Sequence, residues 1–163
     1  MFIVSGWVRR RFIAAVCEAR GVTSIQVADE TFVAAAPELV REALGDRSQW
    51  SRWWPDLDLA VIEDRAASGL RWSVAGPVEG TMEVWCEPVM DGFVLHYFLH
   101  GEPLGHLPRK PRALYDELAE VNRRRRVAGK AMAFEIKARL ERHRAAGDPA
   151  VAAEQGMTGG VRG

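Results

Sequence analysis

The chain has 163 residues, 48% hydrophobic and 27% charged, a length that suits one globular domain and is too short for two well-formed ones. Its 22 basic and 22 acidic side chains cancel, so no overall charge draws it to nucleic acid or to an anionic membrane. No stretch reaches the ~18 apolar residues of a membrane-spanning helix, and Cys17 and Cys86 fit no metal spacing, which predicts free thiols in a reducing, cytoplasmic compartment.

Residues 1–22 are predicted to be an N-terminal extension outside the fold. Three arginines at 9–11 precede a run of six apolar residues, Phe12–Cys17. The run is too short for the core of a signal peptide, and no cleavage site of small residues follows it. A weak targeting helix and an arm that covers a strand remain as alternatives.

The first predicted elements are one strand and two short helices. Residues 23–34 alternate as a strand, with Ile25 and Val33 on the same side. A helix is predicted over Pro37–Gly45, because proline suits the first helical position and glycine the end. A second helix follows over residues 46–54, where an Asp and a Gln three residues apart are spaced as a capping box.

The next segment alternates in a way that predicts a four-strand meander. Its last two strands form a hairpin over Met82–His96, whose turn lies at Pro88–Gly92. Apolar groups occur on both faces of the final strand, which indicates that both faces are covered. The predicted strands are residues 57–63, 70–74, 78–87 and 93–99.

A long helix is predicted from about Arg112 to Arg144, because helix formers dominate and apolar residues recur near a period of 3.6. Either this helix is continuous or it is two helices joined near Gly129. Residues 146–163 are rich in glycine and lack a hydrophobic period, so we expect a disordered tail.

Three segments give the chain a family resemblance: Glu79–Val84, the turn Pro88–Gly92 and the tryptophan-rich Trp50–Asp56. Together with the element order, they resemble the polyketide cyclase/dehydrase branch of the START-related (SRPBCC), Bet v 1-like superfamily. The resemblance implies an α+β helix-grip domain over residues 23–145. In this fold a curved antiparallel sheet of about five to seven strands packs on a long C-terminal helix, with two short helices after the first strand. The family usually has seven strands, whereas about five are found here.

The resemblance implies that a small hydrophobic ligand, lipid or polyketide-like, binds in a cavity between the sheet and the C-terminal helix. A cyclase/dehydrase-like enzyme is the first alternative, and a non-catalytic interaction protein with a filled core is the second. Whether the protein is an enzyme therefore stays open. Residues of this kind are more often plain core than ligand contacts. The inward-facing residues expected to line the cavity are Trp54, Trp72, Val74, Met82, Val84, Leu95, Tyr97, Leu99, Met132 and Ile136.

Catalysis, if present, would be cyclisation or dehydration, with Tyr97 or Arg71 orienting a carbonyl group. No cofactor is expected, because no glycine-rich phosphate loop or nucleophile–base arrangement occurs. No metal is expected either. His96 and His100 share one strand face but lie about 13 Å apart at a strand rise of ~3.3 Å per residue.

Two surface features remain. Trp85, His96 and Phe98 share the outer face of the hairpin, and a homodimer or cover by residues 1–22 would bury them. The four arginines at 123–126 are interpreted as a solvated helix face that pairs with nearby glutamates. If they bind an anion instead, a phosphate-bearing head group is a more natural partner than DNA.

Overall fold

The structure, a computed structural model, describes residues 23–153. The elements occur in the predicted order, and single 3-10 turns at Pro37–Leu39 and Ala66–Ser68 precede α1 and β3. The strands are β1 (Ile25–Val33), β2 (Asp58–Asp64), β3 (Gly69–Ala75), β4 (Val78–Val89) and β5 (Gly92–Pro103), and the helices are α1 (Val40–Gly45), α2 (Arg47–Trp53) and α3 (Pro111–Leu140).

The five strands form one antiparallel sheet in the order β1-β5-β4-β3-β2. The hairpin of β4 and β5 is its longest pair, and β1 joins β5 with Ile25 opposite Gly101. Helix α3 packs mainly against β1 and β5. The helix-grip α+β fold is therefore confirmed, with a sheet at the lower end of the expected five to seven strands.

Helix α3 runs unbroken through the four arginines and through Gly129, so the alternative of two joined helices is wrong. Its buried positions follow the 3.6-residue period and include Gly129. A Cβ atom at Gly129 would lie 2.8 Å from Cζ of Tyr97 and closer still to two other ring atoms. The helix backbone therefore rests directly on the Tyr97 ring, and glycine permits this approach.

Side chains of α3 also close the free edge of β1. Asn122 accepts a hydrogen bond from the backbone N–H of Gln26 at 2.9 Å, and Glu141, directly after the helix, accepts one from that of Ala34, directly after the strand. Two lysines of the same helix donate to backbone carbonyl oxygens of β1. An edge strand whose polar backbone groups are bonded in this way is protected from pairing with another chain.

The two short helices are joined by a capping arrangement. The Asp46 side chain accepts hydrogen bonds from the backbone N–H of Ser48 at 3.0 Å and from the side chain of Gln49 at 3.2 Å. The indole of Trp50 donates to the backbone oxygen of Leu44 at 2.7 Å. The sharp turn between α1 and α2 is therefore fixed at both of its sides, which directs Trp53 and Trp54 towards the sheet and α3.

Backbone hydrogen bonds join the end of the described residues to the segment that follows β1. Val151 forms a parallel bridge with Ala35, and its backbone oxygen accepts from Ala36 at 2.7 Å. Residues around 151 therefore pair with the segment that follows β1, and the domain boundary at 145 stays a prediction. The expected extension at 1–22 and residues 154–163 of the expected tail lie outside the described residues.

Candidate functional site

The ten side chains predicted to line a cavity, among them Trp54 directly after α2, all lie between the sheet and α3. None is more than 3% exposed, and all belong to one hydrophobic cluster. The strand alternation therefore identifies the inner face of the sheet correctly. Whether these residues contact a ligand stays a prediction.

Aromatic rings form the centre of this inner face. The Tyr97 ring stacks on Trp54, with centroids 6.0 Å apart and planes inclined by 14°. Trp54 in turn lies 6.3 Å from Trp72. The Tyr97 hydroxyl donates to the Met82 sulfur at 3.5 Å, a weak acceptor.

Arg125 is the one buried charged side chain among residues 23–153, at 3% exposure. Its two terminal nitrogens each bond one oxygen of Asp56 at 2.7 Å, and the Asp56 side chain is 37% exposed. The hydrogen bond from Arg125 holds the pKa of Asp56 below its usual range. The ion pair between Arg125 and Asp56 thus extends from the interior of the domain to its surface.

This geometry corrects the interpretation of the arginine run as one solvated face. Arg123 fits that interpretation, because it is exposed and bonds Glu120 at 2.7 Å. Arg125 does not, because it occupies the same helix stripe as Gly129 and Met132. The signal was present in the 3.6-residue spacing of those positions, but the like-charged neighbours of Arg125 obscured it.

Several buried donors of the inner face lack an acceptor. Trp54 Nε1, Trp72 Nε1 and Arg125 Nε are inaccessible to solvent and make no hydrogen bond within the part of the chain that the structure describes. The Thr31 hydroxyl on β1 is a fourth such group. A buried donor without a partner costs about 1–3 kcal/mol, so each of these groups calls for an explanation.

The Tyr97 oxygen lies among these donors. Burial raises the pKa of Tyr97, whereas the nearby indole N–H of Trp54 and the charge of Arg125 oppose the rise. The Trp54 N–H is thus close to this oxygen without making a hydrogen bond of normal geometry. Burial also raises the pKa of the Cys86 thiol to about 12, so neither group is a ready base.

Arg71, the other proposed catalytic residue, lies on the outer face. It alternates with Leu70 and Trp72, which are buried inside, and it stands opposite Glu83 on β4. Its Nε is 3.8 Å from a Glu83 oxygen. The structure therefore does not bring Arg71 together with Tyr97, because successive side chains of a strand point to opposite faces.

A cavity of about 610 Å³ opens to the surface between α1, α2 and α3. Glu135 lies in its wall, where it accepts a hydrogen bond from the indole of Trp53 at 2.6 Å and forms an ion pair with Arg52. The hydrogen bond from Trp53, followed by that from Arg52, lowers the pKa of Glu135. Ile136 is the one predicted ligand residue in its wall, which is formed by Ala43, Gln49, Arg52, Trp53, Glu135, Ile136, Ala138, Arg139 and Arg142.

The outer face carries the predicted aromatic patch. The His96 ring stacks between Trp85, at 4.9 Å, and Phe98, at 6.0 Å. Glu87 lies 3.1 Å from Nε2 of His96. Within residues 23–153, no cluster of three or more His, Cys, Asp or Glu side chains is arranged to hold a metal ion, and no helix is long and apolar enough to cross a membrane.

No protein-family model matches the sequence, and no curated protein matches it. Solved structures do. The Aha1 dimer from Colwellia psychrerythraea is 14% identical, with a TM-score of 0.49 over 74% of this chain and 99% of that one. The Zhui aromatase/cyclase from Streptomyces sp. R1128 is 20% identical, with a TM-score of 0.46 over 75% of this chain and 97% of that one.

The Polyketide_cyc-like protein Cgl2372 from Corynebacterium glutamicum is 18% identical, with a TM-score of 0.42 over 73% of this chain and 95% of that one. The helix-grip fold itself rests on the strand order and on the packing of α3 described above.

Proposed function

We propose that the protein binds a small apolar molecule between the inner face of the sheet and α3. One observation carries the proposal: Trp54, Trp72 and Arg125 place three N–H donors in an apolar interior where they find no acceptor among the described residues. A core selected for stability alone pairs its buried donors. A bound molecule with an acceptor atom would complete these bonds.

The surface cavity between α1, α2 and α3 is the proposed entrance. Its volume of about 610 Å³ is in the range of small-molecule sites. Ile136 is buried in the core and also forms part of the cavity wall. The floor of the cavity therefore borders the interior of the domain. A ligand would pass between α2 and α3, where Trp53 and Glu135 meet.

Binding without turnover is supported better than a cyclase/dehydrase-like reaction. A proton-transfer reaction needs a group whose pKa is near the working pH. Burial raises the pKa of both Tyr97 and Cys86, and Arg125, the one buried charged group of residues 23–153, is already paired with Asp56. The interior therefore has groups that orient a ligand, whereas Arg71 lies on the other face of the sheet.

Native mass spectrometry of the protein purified from its source organism tests the proposal. We expect a co-purified apolar molecule that is lost or much reduced in the Trp72→Phe variant, which removes an inner donor. The matched Trp85→Phe variant changes the outer face and should retain the molecule. Protein that is repeatedly free of any small molecule, in all three forms, would contradict the proposal.

A further inference from the structure

A second cavity, of about 490 Å³, lies on the outer face of the sheet. The strand register fixes its floor. Arg71 of β3 stands opposite Glu83 of β4, which in turn stands opposite Phe98 of β5. Thr81 and His100 are opposite each other in the next outward-facing row. Neighbours in such rows are about 5 Å apart, so these side chains converge on one patch. The cavity is lined by Arg65, Arg71, Thr81, Glu83, Phe98 and His100.

Two guanidinium groups share one carboxylate in this cavity. An oxygen of Glu83 lies 3.5 Å from a terminal nitrogen of Arg65 and 3.8 Å from Nε of Arg71. The shorter bond of Arg65, at 2.8 Å, is made to Glu63, which is not part of the wall. Arg71 is therefore the cation whose charge is matched least closely.

The terminal nitrogens of Arg71 are available to a ligand. Its contact with Glu83 involves Nε alone and is longer than a hydrogen bond. The planar guanidinium can therefore offer two parallel N–H donors, an arrangement that suits a carboxylate. The hydroxyl of Thr81 and the imidazole of His100 also line the cavity, and each can donate a further hydrogen bond.

Phe98 gives the same cavity a flat apolar wall. Its ring is the last of three nearly parallel rings, because His96 lies 6.0 Å from it at an angle of 5° and Trp85 lies 4.9 Å from His96. His96 occupies one side of Phe98, so the side that faces the cavity is left for a further ring. A planar aromatic molecule placed there would extend the stack.

We propose that the outer cavity binds a planar aromatic carboxylate, with its ring against Phe98 and its carboxylate on the terminal nitrogens of Arg71. Thr81 and His100 donate to the same carboxylate. The site is separate from the proposed function, because Arg71 and the buried Trp72 point to opposite faces of the sheet. The inference therefore stands or falls independently of a ligand on the inner face.

Three probes separate the roles of charge and ring: 2-naphthoate, 2-naphthamide and cyclohexanecarboxylate. In calorimetric titrations at low salt we expect 2-naphthoate to bind about tenfold more tightly than either of the others. In Arg71→Gln its advantage over 2-naphthamide should vanish. Arg112→Gln, which changes an exposed arginine on α3, is the matched control and should leave that advantage unchanged.

Two further variants sharpen the test. Glu83→Gln removes the carboxylate beside Arg71, so 2-naphthoate should gain at least about threefold in affinity, a gain that a poorly folded protein would not show. Phe98→Leu removes the flat wall, so the preference for 2-naphthoate over cyclohexanecarboxylate should shrink. In a ¹H–¹⁵N spectrum, 2-naphthoate should shift the backbone amides of Thr81 and His100 and leave the indole of Trp72 unchanged.

Several results would overturn the inference. They are equal binding of 2-naphthoate and 2-naphthamide, unchanged binding of 2-naphthoate in Arg71→Gln, and failure of all three probes to bind. Shifts at the Trp72 indole in place of Thr81 and His100 would also overturn it, because the probe would then lie on the inner face. None of these results bears on whether an apolar molecule co-purifies with the protein, so the two proposals fail separately.

Discussion

Replacement of Gly129 by alanine tests how tightly α3 grips the sheet. In an isolated helix this change stabilises, because alanine is the best helix former and glycine costs about 1 kcal/mol. Here the added Cβ would lie 2.8 Å from Cζ of Tyr97, and two other ring atoms would be closer still. Cβ atoms in proteins essentially never approach another heavy atom to less than 3.0 Å. Packing and propensity therefore act in opposite directions.

The structure indicates that packing wins. Tyr97 is 1% exposed and stacks on Trp54, so a displacement of its ring would disturb the packing of its neighbours. Overpacking of a core costs about 1–3 kcal/mol, and the rigidity of this site favours the upper part of that range. After the propensity gain is subtracted, we expect Gly129→Ala to lower the free energy of unfolding by about 1–2 kcal/mol.

Urea unfolding followed by circular dichroism measures this difference. Ala131→Gly is the control, because Ala131 is exposed on the same helix and reports propensity alone, with an expected loss of about 1 kcal/mol. In a Tyr97→Val background, which removes the ring, Gly129→Ala should become stabilising. A stabilising effect of Gly129→Ala in the wild-type background would show that the helix does not rest on Tyr97, and would refute the reasoning.

Three further predictions concern other groups. Asp56 has a lowered pKa in the folded protein, so the stability that it contributes is present above its ordinary pKa of 3.8 and is lost as the pH falls towards the folded value. The free energy of unfolding, measured from pH 6 to 3, should therefore fall less steeply in Asp56→Asn than in the wild-type protein. Equal slopes would contradict this. Cys86, buried with a pKa raised to about 12, should be alkylated by iodoacetamide only after unfolding, as peptide mass spectrometry can check, and rapid native labelling would count against its burial. Asn122→Ala should accelerate hydrogen exchange at the Gln26 amide, whereas exchange at the Ala34 amide, the control, should stay the same. Unchanged exchange at Gln26 would argue against the hydrogen bond between Asn122 and β1.

Much of the fold could be predicted because its signals are local. Alternation located all five strands to within a few residues, and proline, glycine and Asp46 marked the short helices. The ends of the strands were harder to predict from the sequence. Strand β5 continues to Pro103, past the last alternating apolar residue, because Glu102 and Pro103 pair with the start of β4, and such pairing has no signature in the strand's own sequence.

The interior polar site was only partly predictable for the same reason. Strand parity correctly placed Trp72 and Tyr97 on the inner face. The partner of Arg125 is Asp56, 69 residues away, and a contact at that separation is set by tertiary packing. The hypothesis that Arg71 orients a carbonyl group, in contrast, conflicts with its alternation with Leu70 and Trp72, which indicates the outer face.

The indole N–H resonances of the tryptophans test the central claim most directly. In a ¹H–¹⁵N spectrum recorded during titration with 9-fluorenone, a rigid apolar molecule with one carbonyl acceptor, we expect the signals of Trp54 and Trp72 to shift, because their donors gain an acceptor. Trp85 on the outer face should stay unchanged, as should Trp50 and Trp53, whose indoles already donate to protein oxygens. Shifts confined to Trp85, or no shift at any indole, would contradict a ligand site on the inner face of the sheet.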